Sequence, residues 1–266
     1  MNSHTNPQFH NTPVSTEAGS PWEKTKIRRF EDLILKPEFQ ARKLRFPFGE
    51  TWCRLLPAMQ PSTYDWMMGV HALNFEGGRF AHPRTLSPSA KSVYDQAFAW
   101  AKKHHPRSLY GRENRKGIRL LSDPLGLCWC ITKEHGKQVA RLILASGYNG
   151  SRGGDPGIAH RLWSALQRRD EEGNLLHEVL DPLAGRLVCV SKTRPKGATQ
   201  SIYHVSVGQH PAPIHDLMAS MEIDEIEALC PLENTIRQLS EEEEWQALSR
   251  LIAPSTVEVI KASLKG

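Results

Sequence analysis

The chain is predicted to be an α+β, mainly β protein: a small Greek-key barrel with helical insertions and a helical C-terminal segment. Three observations predict it. Short runs of alternating apolar and polar residues are separated by turn residues. Regular βαβ alternation, the mark of a doubly wound sheet, is missing. Residues 186–207 read as a hairpin, with RLVCVSK and SIYHVSV flanking the basic turn TRPKGATQ.

Taken in order, residues 1–21 are rich in Asn, Thr, Ser and Pro and are expected to be a disordered tail. Trp22 opens a basic amphipathic stretch, in which Pro37 is expected to end or kink any helix. Residues 41–59 read as a strand pair turning near Pro47-Phe48-Gly49. Thr51, Cys53 and Leu55 fall on one face of the second strand, and Trp52, Arg54 and Leu56 on the other. Residues 60–90 read as irregular. Residues 91–105 have helical spacing and stop at Pro106, and 107–119 form a basic turn. LGLCWCIT at 125–132 is a strand, KEHG a turn and QVARLILAS a strand or short helix. GYNGSRGGDPG is a Gly-rich loop, and 158–168 are helical. From about residue 213 the reading is helical, with Ser240 as an N-cap before EEEEW. The domain plan is thus a tail to residue 21, one domain over 22–215 and an acidic helical segment over 216–266.

Charge is divided along this plan. The 266 residues carry +5, yet residues 221–266 hold ten acidic and four basic side chains, a net of −6, leaving +11 on the rest. A basic body suggests a polyanionic partner, and the acidic segment an internal or protein-directed competitor. An uneven but merely solvated surface is the alternative. No run approaches the roughly 18 apolar residues of a membrane span, and no secretory signal opens the chain. Five irregularly spaced cysteines read as reduced, mostly buried thiols of a cytoplasmic protein.

Catalytic and cofactor signatures are missing. Cys128 and Cys130 are C-x-C without a second ligand pair at zinc spacing, and read as core thiols, so neither metal nor cofactor is expected. The Gly-rich loop, where Arg152 could meet a phosphate, lacks the ending of a P-loop. Acidic residues lie on C-terminal helix faces rather than paired in the basic body. The chain is therefore read as a non-enzyme.

What stands out is basic residues interleaved with aromatics. Lys43, Arg45 and Arg54 surround Phe46, Phe48 and Trp52. Lys102, Lys103, Arg112, Arg115 and Lys116 fall in a stretch, 102–119, with seven cations and one Glu. Lys192, Arg194 and Lys196 lie on the hairpin turn before Tyr203. Single-stranded nucleic acid needs this mixture, because cations track phosphates while rings stack on bases at ~1–3 kcal/mol each. A barrel of the oligonucleotide-binding kind fits it. For Trp52 and Tyr203, stacking and core roles are both open. Phe98, Trp100 and Trp163, on helical patterns, read as core.

GETWCRLLPA at 49–58 and DPLAGRLVCVSKTRPKGATQSIYHVSV at 181–207 resemble the helix-destabilising single-stranded DNA-binding proteins of T-even-type tailed phages. The first is similar to an early strand in which Arg precedes an apolar pair and Pro. The second is similar to a late hairpin led in by Asp-Pro…Gly. The resemblance spans about residues 40–215. It implies an oligonucleotide-binding barrel, sequence-tolerant binding of single-stranded DNA in replication or recombination, and no catalysis. It implies phosphate contacts for Arg54, Lys192, Arg194 and Lys196, and positions near bases for Trp52 and Tyr203; Trp129 is a further stacking or core residue. Relatives also hold a structural zinc, for which the residues here are wrongly spaced, and a dangling acidic tail, which here gives way to a nearly neutral helical end. The acidic segment is expected to dock replication or recombination proteins or, meeting the basic arm from Lys24 to Arg45 of a neighbour, to support self-association on DNA. The alternative function is a non-enzymatic adaptor of a phage, plasmid or transposon machine, its barrel holding another protein.

Overall fold

Eight strands of the described residues form one sheet. The computed structural model describes residues 31–60, 62, 64–75, 78–90, 92–104, 123–147, 157–169, 171–173, 178–198, 201–251 and 254–264. All of them fall within one compact unit, Glu31–Gly266. The expected tail, the whole basic turn at 107–119 and most of the Gly-rich loop lie outside the described residues.

The strands are β1 (Glu31–Leu33), β2 (Gly49–Leu55), β3 (Met68–Phe75), β4 (Gly78–Ala81), β5 (Asp123–Glu134), β6 (Lys137–Ser146), β7 (Arg186–Thr193) and β8 (Ile202–Pro211). Their order is β1-β4-β3-β5-β2-β7-β8, with β6 on the other side of β5. All pairs are antiparallel except β1 with β4. Twelve-residue β5 organises the sheet. One side pairs with β3 at Asp123–Leu127 and with β2 at Cys130–Thr132, and the other pairs with β6 throughout. Its near-continuous apolar sequence follows from burial on both faces. Leu125, Leu127, Trp129 and Ile131 face one core; Cys128 and Cys130 face the other.

The helices are α1 (Pro37–Gln40), α2 (Val93–His104), α3 (Ile158–Leu166), α4 (Ile214–Ala219), α5 (Ile223–Glu227), α6 (Glu241–Leu251) and α7 (Pro254–Leu264). The segment from Met221 to Ile236, with Ile34 and Leu35, covers one face of the sheet. Helix α3 covers the other through Ile158, Ala159, Leu162 and Leu166. A third cluster packs α2, α6 and α7 against Leu73 of β3 and Phe80 of β4. The acidic C-terminal segment, set apart by charge, is thereby packed into the same unit. Its α6 opens with a reciprocal capping box: Glu243 N–H donates to Ser240 Oγ (3.3 Å) and Ser240 N–H to Glu243 Oε2 (2.9 Å).

The mixed α/β character and the 186–207 hairpin agree with the sequence reading, but the expected closed barrel does not form. Among the described residues β8 pairs only with β7, and the sheet stays open. The outer side of β6, which closure would need, is already occupied. Leu44 N–H donates to Leu142 O and Leu142 N–H to Arg42 O, both at 2.8 Å. Lys43 therefore bridges to β6 instead of forming a strand pair with β2. Residues 60–90, expected to be irregular, supply β3 and β4. Their Met, Gly, His and Asn content hides a strand held by long-range pairing to β5. Pro37 does not end a helix but sits at the first position of α1, where its missing N–H costs nothing.

Candidate nucleic-acid interface

The hairpin and the start of β2 bring two aromatic rings to one lysine, with a third ring packed on one of them. Register sets Gly49 of β2 against Lys192 of β7, and Lys192 against Tyr203 of β8. Gly49 has φ of +96°, a left-handed conformation that glycine adopts without strain. The turn it permits leads Pro47-Phe48 into β2 beside Lys192. Lys192 Nζ donates to Phe46 O (3.2 Å) and lies 4.9 Å from the Phe48 ring and 5.7 Å from the Tyr203 ring. Arg194 lies 5.3 Å from the Phe48 ring. Phe46 and Tyr203 meet edge to face at 6.5 Å. Phe46 and Tyr203 are half-buried against the α3-side core, whereas Phe48 is 59% exposed. The cluster thus offers a solvent-facing ring between two cations.

The expected site residues divide around this cluster. Lys192, Arg194 and Tyr203 are part of it. Arg45 is exposed next to Phe46 in the chain, and Lys196 is exposed on the same hairpin turn as Arg194. Phe46 and Phe48 sit at its centre. In sequence they were only the aromatics between cations, and F-P-F-G before an alternating strand was the available signal.

Trp52 is 43% exposed but lies on the opposite sheet face. It is in register with Cys189 and Ser206, one residue out of phase with the Thr51, Val190 and Val205 row, and its indole N–H donates to Glu50 Oε2 (3.2 Å). Lys102 and Lys103 are exposed on the last turn of α2, which packs at the β3–β4 side of the sheet, away from the hairpin. Arg112, Arg115, Lys116 and Arg152 lie outside the described residues. Trp163, expected in the core, is 41% exposed and stacks on buried Trp66 at 5.6 Å.

Three expected contacts are corrected. Arg54 is 0% exposed and faces no solvent phosphate. Its Nε donates to Ala212 O (2.9 Å) and Nη1 to Leu55 O (2.7 Å), and its guanidinium also donates to Val179 O and Asp181 O. The Asp-Pro…Gly motif builds this cradle. Asp181 Oδ1 accepts from Leu183 N–H (2.8 Å) and Ala184 N–H (2.6 Å), and these bonds hold the carboxyl below its ordinary range. A Cβ on Gly185 would fall 2.0 Å from Arg54 Nη2, so this glycine clears room for the guanidinium. The two segments that carry the phage resemblance therefore meet in a structural contact. Trp129 is a core residue, 2% exposed, its indole N–H donating to Cys230 O (2.8 Å). Lys43 is spent on Asp32, which also accepts from Arg79 Nη2 at 2.7 Å. Burial would raise the Asp32 pKa, but the hydrogen bonds and charges of Arg79 and Lys43 outweigh it and hold the group below its ordinary value.

The acidic segment meets basic residues of the same chain. Glu225 pairs with Arg42 (2.8 Å) and Arg141 (3.5 Å), Glu222 with Lys137 (2.5 Å), and Glu243 with Arg237 (2.8 Å). Between α6 and α7 a groove of about 580 Å³ is lined by Glu241, Glu242, Trp245, Val257, Glu258 and Lys261. Lys261 pairs with Glu258 (3.0 Å) and lies over the Trp245 ring at 5.3 Å.

Cys53, Cys128 and Cys130 share the α3-side core as free thiols. A hydrogen bond to Cys53 and burial both push the Cys130 thiol up, and burial does the same for Cys128. Cys128 and Cys130 therefore fill the core as protonated thiols. No protein-family model and no curated protein matches this chain. Among the described residues no helix is long and apolar enough to cross a membrane.

Proposed function

We propose that the protein binds single-stranded DNA, sequence-tolerantly and without catalysis, in replication or recombination in the cytoplasm. The observation that carries this reading is Phe48, an exposed ring flanked by Lys192 and Arg194 on the rim of an open sheet. A base would stack on Phe48 while the two cations and Lys196 meet phosphates on either side. The reading keeps the function that the phage resemblance implies. It rests on these side chains, with an open sheet in the role of the barrel. Partner proteins of replication or recombination would use the acidic α6–α7 groove.

The test is anisotropy of a labelled oligothymidine of about 20 nucleotides, against its duplex and matching RNA, over a salt series; a slope near −0.7 per neutralised phosphate is expected. Phe48→Ala should cost about 1–3 kcal/mol, or roughly 5- to 150-fold in affinity. Lys192→Ala should lower the salt slope by about 0.7. Indifference of the wild-type protein to single strands at low salt would remove the reading.

A further inference from the structure

The segment from Gly157 to Arg169, GIAHRLWSALQRR, holds three arginines and no acidic residue. Ile158, Ala159, Leu162, Ala165 and Leu166 are buried, so α3 packs by one face and leaves the other to solvent. A glycine lets the helix settle closely on the sheet: a Cβ on Gly126 of β5 would fall 2.5 Å from Met67 Sδ and 2.8 Å from Ala159 Cβ. Docking there brings Trp163 onto Trp66, just ahead of β3, with the rings 5.6 Å apart and 21° from parallel. Trp66 is 4% exposed and belongs to the α3-side core, whereas Trp163 is 41% exposed. One face of the Trp163 indole lies on Trp66, and its outer face and edge supply the exposure. At about 100° per residue, Trp163, Gln167, His160, Ser164 and Arg168 follow one another around the uncovered side of α3, from ring to cation.

We infer that Trp163 is a second base-stacking platform, and that one DNA strand runs from Phe48 across this side of the sheet to α3. The path rests on the single-stranded DNA reading above. Both rings serve one side of the sheet. Lys192 alternates in phase with Val188 and Val190 on β7, and these valines share a core with Leu162 and Trp66. Helix α3 lies against β8, so the half-buried row of Tyr203, Val205 and Val207 leads from the hairpin toward it. Gly49, opposite Lys192, and Leu55, in the same core as Trp66, are separated along β2 by roughly 20 Å at the usual rise. That span suits the ~4–16 nucleotides that a single-strand-binding domain holds. Trp66 fixes the indole before any base arrives, so little side-chain freedom is lost on binding. Arg168, exposed at the far border of α3, is placed to meet a phosphate beside the stacked base. Stacking accepts any base, because every base has a π face.

The test is anisotropy of the full chain on an oligothymidine of about 20 nucleotides at low salt. Trp163→Ala should weaken binding about 5- to 150-fold, the range expected for Phe48→Ala, and Trp163→Phe, which keeps a ring, should recover most of the loss. The double variant should lose the product of the two factors, since the sites are distant. Thermal melts check that each variant is folded. Should Trp163→Ala fold poorly, the wild type supplies a second measurement. An oligonucleotide carrying bromodeoxyuridine, irradiated and digested with the protein, should leave crosslinks on the peptides of both Phe48 and Trp163. A folded W163A protein that binds like the wild type, or crosslinks on the Phe48 peptide alone, overturns the platform and leaves the DNA reading standing. Weakening by Trp163→Ala while Phe48→Ala is silent upholds the platform and refutes the role given to Phe48. A wild type indifferent to single strands removes the DNA reading and the path with it.

Discussion

Replacing Arg54 by methionine separates the two roles this residue has been given. As a phosphate contact, Arg54 would affect DNA affinity and leave stability alone. The structure predicts the opposite. Its guanidinium is buried and donates to four main-chain carbonyls, of Leu55, Val179, Asp181 and Ala212. Asp181 O also accepts from Gly185 N–H (2.8 Å). The carbonyls of Val179 and Ala212 accept from Arg54. Methionine fills similar space but donates nothing, so these two oxygens lose their partner at about 1–3 kcal/mol each, or about 2–6 kcal/mol together. Removing a desolvated charge returns part of that, which sets the expected loss near 3 kcal/mol. For a domain of this size that lowers Tm by about 6–12 °C. Calorimetry or a urea midpoint reads the loss, and the salt slope of DNA binding, measured well below the melt, should not change. An R54M protein that melts with the wild type and binds DNA with a slope smaller by about 0.7 would refute the argument.

Other substitutions probe the same packing. Gly185→Ala sets a Cβ 2.3 Å from Asp181 O and into the Arg54 guanidinium, so it should destabilise comparably to R54M; a wild-type urea midpoint would contradict it. Asp32, its pKa held below 3.8, contributes stability above that pH and loses it as pH falls through the lower folded value. Asp32→Asn should therefore lower stability at neutral pH and flatten the acid limb, read as urea midpoints over about pH 2–7. Buried Glu244 accepts from Val93 N–H (2.9 Å) and Ser92 Oγ (3.4 Å) at the start of α2. Glu244→Leu orphans the Val93 donor and should cost about 1–3 kcal/mol, whereas Glu244→Gln keeps an acceptor and should cost less. Burial raises the Glu244 pKa, so the wild type loses stability relative to E244Q as pH rises through that value, which paired thermal melts will read.

Local pattern determined much of this molecule. Alternation alone assigned Thr51, Cys53 and Leu55 to one face of β2 and Trp52, Arg54 and Leu56 to the other, because a strand has a period of two whatever it pairs with. The hairpin at 186–207, the helix before Pro106 and the Ser240 cap were legible for the same reason, since each is specified within a few residues. So was the joining of Lys192, Arg194 and Tyr203, because a hairpin turn makes sequence neighbours spatial ones. Only tertiary structure decided what each face meets. The carbonyls that hold Arg54 come from residues 55, 179, 181 and 212, and every residue type has a carbonyl, so no side-chain pattern announces them. The strands at 68–81 were hidden because their residues have weak strand propensity and are held by long-range pairing. The sheet stays open among the described residues, with residues 42–44 on the edge of β6. That is a contact between distant backbone groups, and backbone hydrogen bonding is the one property that nearly all residues share.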